Sequence, residues 1–171
     1  MKNIFKKQIV LLVAVVAVLF SGCGGKIPYN AVLYDTAIDW CTEEYATENE
    51  TYNFTQHAPN TLPKNITHII TDNEEFERAF ASFPVAVDFG REMLVVHFLT
   101  DARYYIGGVR VYANSIKKLS VANGAVNIEI SSKSLKIKTN PPAIDFAPPI
   151  QTCLVIKMDK IDVTGANVKF S

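Results

Sequence analysis

Met93-Leu94-Val95-Val96-His97-Phe98-Leu99 is an almost continuous apolar run, with apolar side chains at both alternating positions of a β-strand. A strand with two apolar faces is covered by other elements on both sides, because each face carries side chains that need burial. The run therefore predicts the central strand of a sheet that lies inside the domain.

The residues before this run predict a short strand followed by one helix. Apolar and polar residues alternate over 66–71, and Asp72 has the type and position of a helix N-cap, with Glu75 three residues later. We expect the helix over 73–82, with Pro84 preventing its continuation. Its apolar stripe comprises Phe76, Ala79, Phe80 and Phe83.

The residues after the run predict further short strands. Asn123-Gly124 is typical of a hairpin turn, and Lys133-Ser134 indicates a second turn. Alternating apolar residues predict strands over 109–114, 126–131, 135–138 and 153–158. With five or six strands and one amphipathic helix, the predicted fold class is α+β, mainly an antiparallel β-sheet.

The first 22 residues have the order of an export signal. Three lysines (Lys2, Lys6 and Lys7) come before an uncharged run of 12 residues that ends at Phe20, and Ser21-Gly22-Cys23 follows. This order resembles a bacterial lipoprotein signal, which implies cleavage before Cys23 and attachment of fatty acyl chains such as palmitate to the mature N-terminus. The resemblance places the protein on the extracytoplasmic face of a bacterial envelope membrane.

An uncleaved membrane anchor is the alternative interpretation of this leader. The apolar run is shorter than the roughly 20 residues that a membrane-spanning helix needs, which favours the lipoprotein signal. We therefore expect the segments 1–22 (signal peptide), 23–64 (tether and N-terminal extension), 65–163 (α+β domain) and 164–171 (C-terminal tail).

The excess of acidic over basic side chains after the leader argues against nucleic acid as a partner. Residues 23–171 carry 14 basic and 17 acidic side chains, whereas nucleic-acid binding depends on concentrated positive charge. The acidic side chains concentrate in 34–50 and the basic ones in 103–138. Such a distribution fits either a basic surface for an acidic partner or ordinary solvated surfaces that pair within the chain.

Cys41 and Cys153 remain once Cys23 is assigned to the lipid. An even number of cysteines in an exported protein favours a disulfide, so these two residues form a candidate pair. Two buried thiols are the alternative.

No motif in the chain specifies a reaction. His57, His68 and His97 are isolated from one another, and no cysteine or histidine pair has the spacing of a zinc site. No phosphate loop, nucleophile elbow or dinucleotide fingerprint is present. The acids available for hydrolysis (Asp88, Glu92, Asp101 and Asp145) have no spacing that joins them. We expect a protein that is not an enzyme and that has neither cofactor nor metal.

The most distinctive segment follows the apolar run. Arginine, tyrosine and glycine cluster there, and the first two are favoured at protein interfaces. The candidate partner-binding residues are Arg103, Tyr104, Tyr105, Gly107, Gly108 and Arg110. A turn or bulge whose tyrosines cover the sheet edge is the alternative.

Several short motifs resemble the C-terminal domain of the PrcB protease-complex family. In that family an Asp-Phe pair precedes a hydrophobic strand, a glycine turn follows and a late strand closes the domain. Asp88-Phe89, Glu92-Met93 and Gly107-Gly108 fit this pattern. Ile106 and Val109 stand where that family usually has Thr and Tyr. The resemblance covers roughly residues 66–160 and implies a non-catalytic lipoprotein that associates with a surface protease and stabilises it.

The sequence thus predicts a membrane-anchored, non-catalytic lipoprotein that binds a protein partner such as a cell-surface protease complex. A second hypothesis is a lipoprotein that binds envelope glycans or small ligands by stacking on Trp40, Tyr45 and Tyr105. A third is an envelope hydrolase, which requires Asp88, Glu92 and His97 to lie together.

Overall fold

A computed structural model describes residues 29–35, 37–51, 65–101, 105–106, 109–110, 112–134 and 150–171. The helical elements in these ranges are a 3₁₀ helix (Ala37–Trp40), α1 (Glu43–Glu48) and α2 (Asn73–Ala79). The strands are β1 (Ala31–Tyr34), β2 (Ile66–Ile70), β3 (Glu92–Asp101), β4 (Tyr105–Ile106), β5 (Val109–Arg110), β6 (Tyr112–Ala122), β7 (Ala125–Ser134), β8 (Ile150–Asp159) and β9 (Gly165–Phe170).

The described strands form two main sheets and a separate two-stranded ladder. The larger sheet has the order β1-β8-β3-β2 and is antiparallel throughout. The smaller sheet has the order β6-β7-β9, and β4 pairs with β5. β1 lies over β6 and β2 lies over β9, so the two main sheets pack face to face. The predicted class, α+β and mainly β, is confirmed.

The larger sheet is buried on both faces. Met93 and Val95 of β3 pack between the two sheets, against Ile128 and Leu154 among others. The alternate residues, including Leu94 and Val96, face a second cluster formed with the helical elements. The run over 93–99 is therefore the doubly covered central strand that its two apolar faces predict.

Helix α2 begins as predicted and ends early. The Asp72 carboxylate accepts a hydrogen bond from the Glu75 N–H at 2.9 Å, as an N-cap does. The helix stops at Ala79 rather than at residue 82, because Phe80 has an extended backbone and pairs with Cys41 in an isolated β-bridge. The predicted apolar stripe packs into the cluster beneath the helices.

The turn between β6 and β7 confirms the hairpin prediction. Asn123 and Gly124 have φ angles of 53° and 71°, the left-handed conformation that a two-residue hairpin turn requires. The second predicted turn is wrong, since Lys133 and Ser134 continue β7 opposite Ala113 and Tyr112. The strand predicted over 135–138 lies outside the described residues.

The C-terminal residues complete the smaller sheet. Residues 165–170, within the segment that we expected to be a tail, form β9 and pair with β7 in parallel. This is the one parallel ladder among the described strands, and the sequence analysis did not predict it. Phe170 and Val168 pack between the sheets, which explains why the end of the chain is ordered on the domain.

The strand directions define two ends of the domain. The β1 end contains the start of β1 and the end of β8, and the turn at Asn123–Gly124 contacts Thr164 in the connection after β8. The β4–β5 end contains the end of β3 and the start of β6, which flank β4 and β5 in the chain. Ten residues of β3 separate the two ends, or about 30 Å at the usual rise of an extended strand.

Candidate functional site

The candidate partner-binding segment contains the β4–β5 ladder. Tyr105 lies opposite Arg110 and Ile106 lies opposite Val109 in this antiparallel pair. The register leaves two residues, Gly107 and Gly108, to connect the strands, which is the length of the commonest hairpin loop. Among the strands described, none outside the ladder pairs with β4 or β5.

The structure thus brings together two of the six candidate residues, Tyr105 and Arg110, at paired positions. Arg103, Tyr104, Gly107 and Gly108 lie outside the described residues, as does Cys23, the predicted site of lipidation. Chain connections fix the position of the ladder: three residues separate it from the end of β3, and one residue separates it from the start of β6. It therefore lies at the β4–β5 end.

A polar cluster that the sequence analysis missed lies near the same end. The Gln151 side chain accepts a hydrogen bond from the Thr51 N–H at 3.2 Å and donates one to the Ala46 carbonyl at 3.1 Å. The hydroxyls of Thr51 and Thr100 also share a hydrogen bond. These contacts attach the residues after α1 to β3 and β8. Isolated threonine and glutamine residues have no local pattern that predicts such a cluster.

Tyr45 is part of the core. It is fully buried, and the Arg78 guanidinium lies 5.0 Å from its ring centroid. Its hydroxyl has no hydrogen-bond partner among the described residues, and burial raises the pKa of Tyr45. Trp40 packs edge-on against Tyr34 and Phe83. The stacking surface of the glycan-binding hypothesis therefore cannot include Tyr45.

The two described histidines face opposite sides of the larger sheet. The His68 ring shares a hydrogen bond with the Asn49 side chain beneath the helices, and burial lowers the pKa of His68. His97 points between the sheets, where its Nδ1 lies 2.8 Å from the Thr67 hydroxyl. Burial lowers the pKa of His97 to about 4, so the ring is neutral at pH 7.

The three side chains of the hydrolase hypothesis do not converge. Glu92 binds Lys157 Nζ at 2.7 Å and accepts a hydrogen bond from the Asp88 N–H at 2.9 Å. Hydrogen bonds from Lys157 and from the Asp88 backbone lower the pKa of Glu92. His97 lies five positions further along β3, on the opposite face of the strand. Asp145 and the side chain of Asp101 lie outside the described part of the chain, as does His57.

The described charges pair partly within the chain. Glu48 of the acidic segment binds Arg78 at 2.8 Å, and Asp35 accepts hydrogen bonds from the backbone and side chain of Asn114. Lys117 of the basic segment binds Glu129 at 2.7 Å. Part of the charge of both segments is therefore used in contacts within the described chain.

Cys41 and Cys153, the candidate disulfide pair, meet beneath the helical elements as free thiols. In the ranges described, no group of three potential ligand side chains is arranged to hold a metal ion. None of the described helices has the length and apolar character that crossing a membrane requires. Comparisons with models of protein families, with curated proteins and with solved structures gave no match.

Proposed function

We propose that this protein is a lipid-anchored, non-catalytic binding protein of the bacterial envelope, which presents its β4–β5 ladder to a protein partner. The observation that carries the proposal is the position of the ladder at the end of the domain opposite the start of β1. A lipid on Cys23 would be joined to β1 through a few residues only. The membrane would then lie near the β1 end, and the ladder would face away from it.

The distances support this orientation. Five residues separate Cys23 from Tyr29, the first residue described, so the link can span at most about 20 Å. The ladder follows the far end of β3 in the chain, and β3 itself is about 30 Å long. A partner protein in the same membrane or above it can therefore reach the ladder without displacing the anchored end.

The chemistry of the ladder supports a protein as the partner. Tyrosine and arginine, which are over-represented among the residues that dominate binding energy, occupy the directly opposed positions 105 and 110. Among the described strands, none pairs with the outer edges of this short ladder, and an unpaired strand edge accepts a further strand. The resemblance to the PrcB family indicates a surface protease as the class of partner.

Site-specific photocrosslinking in the bacterial host tests this proposal. A photoreactive phenylalanine analogue replaces Tyr105 in one strain and Val121 in the other. Val121 is the matched control, because it is an exposed apolar side chain near the β1 end. We expect a discrete adduct with an envelope protein, identified by mass spectrometry, from position 105 and not from position 121.

A loss-of-binding experiment complements the crosslink. Replacing Tyr104 and Tyr105 by alanine should reduce recovery of the same partner at least tenfold while the thermal midpoint stays within about 2 °C of wild type. Equal adducts at positions 105 and 121, no adduct at either position, or undiminished recovery by the double variant would contradict the proposed site.

A further inference from the structure

Two cysteines from distant parts of the chain meet beneath the helical elements. Cys41 and Cys153 are 112 positions apart in the sequence, and both belong to the cluster between the larger sheet and the helices. Cys153 lies in the middle of β8, opposite Phe98 of β3. The two side chains lie close enough for each thiol to shift the pKa of the other.

The backbone around Cys41 is fixed by contacts to α2. Cys41 pairs with Phe80 in a β-bridge, and on either side of it the Thr42 N–H donates to the Ala79 carbonyl and the Ala81 N–H donates to the Trp40 carbonyl, both at 2.9 Å. Cys153 is restrained by its position in β8, where it pairs with Phe98 of β3 two residues before the part of β8 that also pairs with β1. The backbone of each cysteine is therefore positioned by paired structure.

We propose that Cys41 and Cys153 are the site of an intramolecular disulfide. Its formation would join the segment of the 3₁₀ helix and α1 covalently to the central strand β8. That segment also carries Trp40 and Tyr45, which cover one face of the larger sheet. Oxidation would thus fix the helical layer on the sheet.

The environments of the two thiols determine which of them reacts first with an oxidant. Cys41 is partly exposed, and the interaction with the Cys153 side chain lowers the pKa of the Cys41 thiol. Burial raises the pKa of Cys153, which has no exposed surface. Cys41 is therefore the residue that an external disulfide meets first, because the thiolate is the attacking species.

The oxidant is a disulfide, supplied by oxidised glutathione in a test or by a thiol–disulfide oxidoreductase in an oxidising envelope. The Cys41 thiolate attacks one sulfur of that disulfide and releases the other as a thiolate, forming a mixed disulfide. Cys153 then loses its proton and attacks the Cys41 sulfur. This step displaces the second thiolate of the oxidant, so two protein thiols become one disulfide and the oxidant becomes two thiols.

Oxidation of the purified full chain in a glutathione redox buffer tests the pair. The two peptides that contain Cys41 and Cys153 should together be two hydrogens lighter than in the reduced protein and should carry no glutathione. Trypsin should release residues 27–64 and 139–157 as one linked peptide that separates on reduction, because cleavage after Lys26 leaves Cys23 in a different peptide.

Single variants provide the matched controls. Cys41→Ser and Cys153→Ser each remove one partner, so neither variant should form the linked peptide. The Cys153→Ser variant should accumulate a mixed disulfide on Cys41, whereas Cys153 in Cys41→Ser should react at least tenfold more slowly. The wild-type thermal midpoint should fall by roughly 5–10 °C when a reductant is added to the oxidised protein.

Two results would overturn the inference. One is a wild-type chain that keeps both thiols, or takes up glutathione on each, in a buffer that oxidises other exported proteins. The other is a linked peptide that contains Cys23. The glutathione experiment requires no export and no partner, so its outcome is independent of the crosslinking result at position 105.

Discussion

Asn30 and Asp159 fasten the start of β1 to the end of β8. The Asn30 N–H donates to the Asp159 carboxylate at 2.9 Å, and the Asp159 N–H donates to the Asn30 carbonyl at 3.1 Å. The side-chain amide of Asn30 also lies 3.2 Å from the same carboxylate. These contacts hold the first described residues of the chain at the β1 end, far from the β4–β5 ladder.

Removing the Asp159 carboxylate should loosen this attachment. We expect Asp159→Ala to lower the free energy of unfolding by about 1 kcal/mol, because it removes two exposed hydrogen bonds to Asn30. Amide hydrogen exchange at residues 30–32 should become faster, while exchange in β3 stays unchanged. Asp162→Ala is the control, because Asp162 is an exposed acid three residues after Asp159, in the connection between β8 and β9. Equal effects from the two variants would show that the carboxylate does not hold β1.

The lowered pKa of the buried His97 ring predicts that the protein loses stability in mild acid. This folded-state pKa of about 4 lies below the ordinary value of 6.5, so the unfolded chain binds a proton more readily than the folded chain. The full contribution to stability is present above pH 6.5 and declines as the pH falls towards 4. When the pH is lowered from 7.5 to 5.5, the free energy of unfolding measured in urea should decrease by about 1 kcal/mol because of this residue.

The His97→Gln variant separates this contribution from that of other groups. It cannot titrate, so its stability should change less than that of wild type over the same pH interval. Partial burial also lowers the pKa of His68. The His68→Gln substitution should therefore remove a smaller part of the decrease in stability. A pH dependence that is identical in wild type and His97→Gln would contradict the burial of a neutral His97 ring.

The buried hydroxyl of Tyr45 predicts that a substitution at this position can stabilise the protein. This hydroxyl has no partner in the described part of the structure, whereas the Tyr45 ring packs against Phe98 and lies beneath Arg78. Tyr45→Phe keeps the ring and removes the unpartnered hydroxyl, so we expect the free energy of unfolding to rise by about 1 kcal/mol. Tyr45→Ala also removes the ring and should cost about 3–5 kcal/mol. Chemical denaturation measures both changes, and a destabilised Tyr45→Phe variant would mean that the hydroxyl is hydrogen-bonded.

Local patterns predicted the elements whose causes lie within a few residues. The two apolar faces of the run over 93–99 indicated a strand covered on both sides, and Asp72 indicated the first residue of α2. Asn123-Gly124 indicated its turn because few residues adopt a positive φ without strain. Each of these features depends on short-range geometry or on the alternation of a strand.

Contacts between distant segments could not be predicted in this way. Helix α2 ends at Ala79 because Phe80 pairs with Cys41, and nothing in the sequence near Phe80 indicates that partner. The parallel pairing of β9 with β7 and the cluster around Gln151 depend equally on the complete fold. At the candidate site, the glycine pair indicated a turn. The separate ladder that pairs Tyr105 with Arg110 became visible only in the structure.

Förster resonance energy transfer between a dye on the protein and dyes in the membrane tests the orientation of the anchored domain most directly. A donor dye is placed at position 105 or at position 121, and acceptor dyes label the headgroups of vesicles that carry the acylated protein. We expect strong transfer from position 121, weaker transfer from position 105, and loss of both signals in a Cys23→Ser chain that is not acylated. Equal or stronger transfer from position 105, or vesicle binding that survives Cys23→Ser, would contradict the proposed orientation of the anchored domain.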